Sequence, residues 1–282
     1  MGTVRALHRY PVKSMLGERL TSAAITERGL GGDRVAAVLD ETGAVGSAKH
    51  PRKWGRLLAC RGSLTGGGTV EVELPDGTVQ RAGDPDLDKR LTELLGRRVF
   101  LSDTPPGEGG TLERAVPEYP GGVADSVRET ASADATGALI TSGQVAPGTF
   151  FDFGALHLVT TSTLDRLRAA HPAGDFDPRR FRPNLVIDTP GEPGFVEDTW
   201  IGSDLRVGEA VLRPVLPTPR CVVPTFAHDD LPPDPGIMRT VAREHRVPVL
   251  DLGRLSCVGV YLEVVTPGTV RAGDPVTRVP RP

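Results

Sequence analysis

The chain has 282 residues, with 33 lysines and arginines against 36 aspartates and glutamates, for a formal net charge of −3. That balance excludes the basic footprint of a nucleic-acid binder or of a protein held electrostatically to a membrane surface, and no apolar run approaches the ~20 residues of a spanning helix. Three widely spaced cysteines, Cys60, Cys221 and Cys257, exclude a disulfide framework and an in-chain four-cysteine iron–sulfur cluster. Without an apolar leader at the N-terminus, they point to a reducing, cytoplasmic setting.

High glycine (34) and proline (26) with 5% aromatic residues predict short elements joined by many turns. In chain order, residues 2–10, 34–40, 56–64, 69–74 and 78–82 are expected as strands. Val70–Leu74 and Thr78–Arg81 alternate in polarity around an Asp76-Gly77 turn, the pattern of a hairpin. A first helix follows, with Asp84 as cap, Pro85 in its first turn, Leu87, Leu91, Leu94 and Leu95 as its apolar stripe, and Gly96 as its stop. Arg97–Leu101 is expected as a strand, and 103–122 as a linker or long surface loop.

A second strand-rich region opens near Gly154. Leu156–Thr160 is expected as a strand, with Ser162 and Asp165 as a capping box for a helix reaching about His171. Leu185-Val186-Ile187 is expected as a buried strand, with further strands at about 199–207 and 210–216 leading to Cys221. A third helix has Asp234 as cap, Pro235 in its first turn, and Ile237, Met238, Val241 and Ala242 on one face. A long strand over Cys257–Val265 and a last one near 269–279 complete the chain. Three short helices among about a dozen strands predict a mainly β protein of barrel type. The expected division is a β-rich N-terminal domain over 1–102, a linker over 103–125, and a β-barrel domain over 126–282.

Four clusters can carry chemistry. Tyr10-Pro11-Val12-Lys13-Ser14 lies at a strand end, where a Lys-Ser pair and nearby amides can hold phosphate or simply form an exposed turn. Gly29-Leu30-Gly31-Gly32-Asp33-Arg34 allows a tight backbone path before Arg34, yet has neither P-loop nor dinucleotide-binding spacing; a plain glycine turn explains it equally well. Arg179-Arg180-Phe181-Arg182-Pro183-Asn184 puts three cations at the entrance of a buried strand, which is costly without anionic partners. Pro183 biases Arg182 toward extended backbone, so Arg182 and Asn184 are expected to project to the same side, a guanidinium and a carboxamide suited to phosphate and a heterocycle edge. The alternative is a solvated basic turn whose Asn bonds backbone.

Arg220-Cys221 is the fourth. A lone thiol beside a fixed positive charge suits a thiolate, either nucleophile or soft-metal ligand, although free cysteines are more often small buried hydrophobes. The six histidines show no HxH or HxxxH pattern, and no GxSxG elbow occurs. Asp229-Asp230 is expected only as a solubilising loop pair.

These four clusters, in this order, resemble the MOSC family, the molybdenum cofactor sulfurase C-terminal domain superfamily. The chain is similar to two-part members with an N-terminal β domain, of the mitochondrial amidoxime-reducing type. The resemblance implies a β-barrel MOSC domain packed against a smaller β-rich domain, and a molybdenum cofactor (Mo-molybdopterin). It implies Cys221 as metal ligand and catalytic centre, with Lys13, Ser14, Arg34, Thr161, Ser162, Arg182, Asn184 and Arg220 as cofactor-binding residues. The chain departs from the family pattern at Pro219, which removes a backbone donor before Arg-Cys, and at Val222-Val223-Pro224-Thr225, where the reductases carry a Thr-Thr-x-Asp-Pro run.

The activity implied is reduction of N-hydroxylated or N/S-oxygenated small molecules, with electrons from a separate donor protein, and with neither nucleic acid nor membrane as partner. The alternative is sulfur transfer through a Cys221 persulfide in metal–sulfur cofactor assembly. A cofactor carrier is a third reading, disfavoured because storage does not need a metal-ligating thiolate. Pyridoxal phosphate binding is also disfavoured, since no lysine sits in a Schiff-base context.

Overall fold

A computed structural model describes residues 1–107, 110–116, 131–134 and 139–280. They form two compact units that are not the contiguous halves expected above. One unit comprises Met1–Arg9, Glu18–Asp33 and Gly154–Pro282; the other comprises Tyr10–Gly17 and Arg34–Phe153. The first strand belongs with the C-terminal half because the ring of strands there closes through it, and residues 18–33 go with it because Glu18–Leu20 pairs with that strand and Ser22–Thr26 with Gly268–Arg271.

That ring has seven strands. In spatial order they are Leu156–Thr160, Leu185–Asp188, Gly2–Arg9, Pro275–Val279, Asp204–Val207, Ala210–Pro219 and Arg254–Thr266, and the last pairs back to the first. Closure removes the exposed edges that an open sheet would leave. Leu156–Thr160 and Leu185–Asp188 are parallel, so a crossover is required between them, and the helix Thr161–Ala170 supplies it. Alternate residues of these strands face opposite ways. Leu158, Leu185 and Ile187 pack inside the barrel with Leu7, Leu205, Leu212 and Val260. Val159 and Val186 pack outside against Leu164 and Leu167 of Thr161–Ala170, and against Ile237 and Val241 of Gly236–Glu244. Both faces are covered, which explains why these two strands read as continuous apolar runs.

The other unit is built from a pair of strands, Ala37–Asp40 with Val99–Ser102, and two three-stranded sheets. Trp54, Leu57, Leu87, Leu91, Val38 and Val72 form its largest core cluster. The hairpin at Asp76-Gly77 and the helix Pro85–Leu95 form as expected: the Asp84 carboxylate accepts from the Asp86 amide, and Gly96 closes the helix at φ 66°.

Several expectations are corrected. Among the described residues there are four α-helices, because Pro51–Trp54 adds an unexpected one, and the segment expected as strand 56–64 begins in a 3-10 turn, Gly55–Ala59, before strand Arg61–Leu64. Trp54, Leu57 and Leu58 recur at helical spacing, and Pro51 starts the turn under a His50 cap. The strand expected from residue 34 starts at Ala37, because Arg34 is left-handed. Thr160, not Ser162, caps the crossover helix, its hydroxyl accepting from the Thr163 amide. Residues 196–200 form a 3-10 turn, and the last strand breaks into Gly268–Arg271 and Pro275–Val279 around Gly273. Thr111–Ala115, inside the expected linker, is a strand paired with Leu139–Gln144. Residues 108–109 and 117–125 of that linker lie outside the described residues.

The barrel unit also buries a carboxylate. Glu197 is fully enclosed and accepts hydrogen bonds from the hydroxyls of Thr160 and Thr163, both at 2.7 Å. Burial raises its pKa above the ordinary carboxylate value, with the two hydroxyls opposing. A raised folded-state pKa stabilises most fully below the unfolded pKa and loses that contribution as pH rises through the folded one. Unfolding of Glu197→Gln by urea is therefore expected to lose the part of the stability decline that the wild type shows above about pH 4. An unchanged pH profile would show that Glu197 does not titrate in this way.

Candidate active site

The predicted site residues fall into two groups, one in each unit. In the unit built from Tyr10–Gly17 and Arg34–Phe153, the Lys-Ser turn runs beside the segment entering Ala37–Asp40. The Lys13 amide bonds the Ala36 carbonyl, and the Arg34 amide bonds the Tyr10 carbonyl, both at 2.9 Å. Lys13 is 5% exposed, and its Nζ donates to the Phe150 carbonyl at 2.8 Å and to Asp152 Oδ1 at 2.5 Å. Lys49 Nζ holds the other carboxylate oxygen at 2.7 Å. Burial pulls the Lys13 pKa down to about 8, with Asp152 opposing. Asp152 is driven the other way from its own desolvation by Lys13 and Lys49, and stays well below the usual carboxylate range.

Ser14 Oγ accepts from the Ala48 amide at 3.0 Å, and the Arg34 guanidinium lies over the Tyr10 ring at 5.0 Å and the Phe151 ring at 5.9 Å. Ser14 and Arg34 both hold positive φ, 66° and 48°. Asp152 and Lys49 were not anticipated from sequence; the Phe151-Asp152-Phe153 pattern, a carboxylate between aromatics, was the available signal.

In the barrel unit, Asp177 caps the 3-10 turn Pro178–Phe181 and Arg182 closes it in left-handed geometry, φ 52° and ψ 48°. The expected extended Arg182 is thus corrected. Its amide is drawn back onto the Pro178 and Arg179 carbonyls, both at 3.2 Å, and this turn closure outweighs the preference set by Pro183. The extended backbone expected to set Arg182 and Asn184 on one side is therefore absent at Arg182. Asn184 is 1% exposed; its Oδ1 accepts from the His157 amide at 3.1 Å and its Nδ2 donates to the His8 carbonyl at 3.3 Å. That carboxamide ties barrel strands together, the bland alternative raised for it.

The three arginines have different surroundings. Arg179 pairs with Asp177 and with Asp229 and Asp230, so the acidic pair anchors a loop and does more than solubilise. Arg180 is buried among carbonyls, and Arg182 is half-buried. Thr161 and Ser162 serve the start of the crossover helix: Thr161 Oγ1 donates to Asp188 at 3.1 Å, and Ser162 Oγ bonds the hydroxyls of Thr160 and Thr189.

Cys221 lies two residues past the end of Ala210–Pro219. It is half-buried and belongs to none of the hydrophobic core clusters. Cys60 and Cys257, by contrast, are fully buried, and burial pushes both thiols up to about 12. The inert-hydrophobe reading therefore fits those two cysteines and leaves Cys221 as the accessible one. Arg220 joins this thiol to the arginine turn: its Nη2 donates to the Phe181 carbonyl at 2.6 Å and its guanidinium lies 5.8 Å from the Phe181 ring centroid. Cys221, Arg220 and Arg182 are thus carried by two connected pieces of backbone.

Comparison with known proteins agrees with this pattern. A family model described as the MOSC domain matches residues 146–277, and one described as the MOSC N-terminal beta barrel domain matches residues 1–94. The chain is 26% identical to mitochondrial amidoxime-reducing component 1 of Homo sapiens over 98% of its own length and 82% of that protein, and equally so to the Mus musculus protein. It is 34% identical to mitochondrial amidoxime reducing component 2 of Rattus norvegicus over 35% of this chain and 29% of that one. Among solved structures, the YUAD protein of Bacillus subtilis aligns over 98% of this chain and 93% of its own, with TM-score 0.44 and 11% identity. YiiM from Escherichia coli aligns over 45% and 55%, with TM-score 0.32 and 20% identity. Likeness at that level says nothing about activity. The two family models together span most of the chain, which belongs to the MOSC-domain family.

Proposed function

We propose that this protein is a molybdenum-cofactor oxidoreductase that reduces N-hydroxylated or N/S-oxygenated small molecules, with Cys221 as the protein ligand to the metal. The observation that carries the reading is the placement of Cys221, half-buried outside the core and tied through Arg220 to the turn that presents Arg182. Three of the family-motif residues, Ser14, Arg34 and Arg182, hold left-handed backbone that side chains other than glycine rarely adopt. Strain of that kind, about 1–3 kcal/mol per residue, clusters at functional sites. The kinship with amidoxime-reducing components points the same way.

The residues present fit such a cofactor by their chemistry. Among the described residues no set of three or more His, Cys, Asp or Glu side chains converges to hold a metal. Cys221 therefore offers one soft donor, suited to a metal that brings its other ligands on a dithiolene. Arg182 and Arg220 in the barrel unit supply guanidinium groups suited to phosphate. Asn184 spends one acceptor position of Oδ1 and one hydrogen of Nδ2 on backbone, which leaves its carboxamide one further acceptor and one further donor.

When bound, the cofactor supplies two-electron chemistry at molybdenum. Conversion of an N–OH group to N–H consumes two electrons and two protons and releases water, so a separate electron donor is needed. Protein expressed in a host that makes the cofactor is expected to contain about one molybdenum per chain and to release a fluorescent oxidised pterin. Absence of both sinks the proposal. A mass gain of one sulfur on Cys221 in that same metal-free preparation would favour persulfide transfer instead.

A further inference from the structure

Arg180 is a fully buried cation in the barrel unit, and the proposed chemistry does not use it. All its observed acceptors are carbonyls. Nε donates to Asp175 at 2.8 Å, Nη1 to Pro224 at 3.2 Å and Phe226 at 3.1 Å, and Nη2 to Pro232 at 2.7 Å. Enclosing a cation carries a desolvation cost, and an apolar replacement would leave the carbonyls it serves without that donor. What a guanidinium adds is direction, because its donors lie in one rigid plane and each fixes a carbonyl.

The carbonyls it fixes identify what it holds. Three of the four belong to the loop that follows Cys221, and Arg180 itself sits in the turn that ends at Arg182. The reverse contact is made by Arg220, which precedes Cys221 and donates at 2.6 Å to Phe181 of that turn. Each arginine thus reaches across to the backbone of the other's segment. Within the loop, the Thr225 and Phe226 amides close a short turn onto the Val222 and Val223 carbonyls.

We propose that Arg180 is a positioning residue: together with Arg220 it clasps the Cys221 loop to the Phe181–Arg182 turn and so holds the thiol in one orientation relative to that turn. The inference deepens the molybdenum reading and rests on it for its purpose, but the clasp itself can be read without any metal.

The test uses full-length protein prepared without molybdenum. Cys221 is alkylated with iodoacetamide at one fixed pH, and its peptide is quantified by mass spectrometry apart from the buried Cys60 and Cys257. Folded Arg180→Met is expected to react about tenfold faster than wild type at Cys221 and no faster at Cys60, since release of the loop uncovers the half-buried thiol. Arg180→Lys is expected to recover only part of the wild-type protection, because an ammonium cannot span all four carbonyls.

A folded Arg180→Met whose Cys221 reacts at the wild-type rate overturns the proposal, whatever its melting temperature. Should both variants fail to fold, hydrogen exchange on the wild type decides. The Thr225 and Phe226 amides are expected to be protected, and exchange as fast as at the exposed 250–253 tip overturns the clasp. In cofactor-loaded protein, Arg180→Lys is expected to lower kcat more than it changes KM. Finding no molybdenum in the wild type would sink the oxidoreductase reading, while the alkylation and exchange results would still decide the clasp.

Discussion

Replacing Cys221 by alanine is expected to remove molybdenum and turnover together while leaving the protein folded. Cys221 is half-buried and outside the core clusters, so deleting its sulfur leaves no sealed cavity, and the stability change should stay within about 1 kcal/mol. Loss of groups one shell outside a metal already costs 10–100-fold in affinity or activity, so loss of the ligand itself should exceed about a hundredfold. Cys257→Ala is the matched control. That thiol is fully buried and donates to the Leu255 carbonyl, so its removal should cost stability and leave metal content intact. The measurements are elemental analysis, thermal unfolding, and reduction of an aromatic amidoxime with a chemically reduced viologen as electron source. Cys221→Ala retaining wild-type molybdenum and turnover would show that the metal is held elsewhere.

Asp152→Asn should destabilise the protein by about 3 kcal/mol at neutral pH. The variant leaves the Lys13 ammonium, 5% exposed, without its carboxylate and with Lys49 still nearby. Breaking a buried ion pair by removing one partner costs about 3–5 kcal/mol, and the partial exposure of Asp152 places this case at the lower end. The pH dependence has a definite sign. In the wild type Lys13 binds its proton less tightly when folded, about 8 against an ordinary 10.5, so its contribution grows more favourable as pH rises across that window. Asp152 has a depressed pKa, so its contribution is present above the ordinary carboxylate value and lost as pH falls below it. In Asp152→Asn the acid-side loss should vanish, and the deficit should shrink between about pH 7 and about pH 10 as Lys13 deprotonates. Urea unfolding at several pH values measures both. A deficit below about 1 kcal/mol that does not vary with pH would show that solvent already carries the lysine charge.

How far the site was readable depended on the range of the interactions that make it. Cys221 was singled out by its neighbour Arg220, and the contrast with Cys60 and Cys257 needed burial, which arises only from packing. Arg182 and Asn184 looked like a pair because strand alternation and Pro183 both favour it. Turn closure reversed the backbone at Arg182, and the Asn184 carboxamide went to two barrel strands. Asp152 and Lys49 lie far along the chain from Lys13, and no local pattern links them to it. Arg180 stood in the correct motif, but its acceptors are carbonyls of a loop that begins some forty residues later, and carbonyls carry no sequence signal.

The amino-acid order alone was sufficient for the mainly β class, the Asp76-Gly77 hairpin and the capped helix Pro85–Leu95. Each of these rests on forces acting within a few residues: turn chemistry, capping and hydrophobic period. The tertiary structure decided that Gly2–Arg9 and residues 18–33 join the C-terminal barrel, and which arginines face carboxylates, carbonyls or the thiol loop. The reason is that strand closure and guanidinium bonding are satisfied by backbone groups distant in sequence. Every residue carries such groups, so their partners become definite only when the chain has folded.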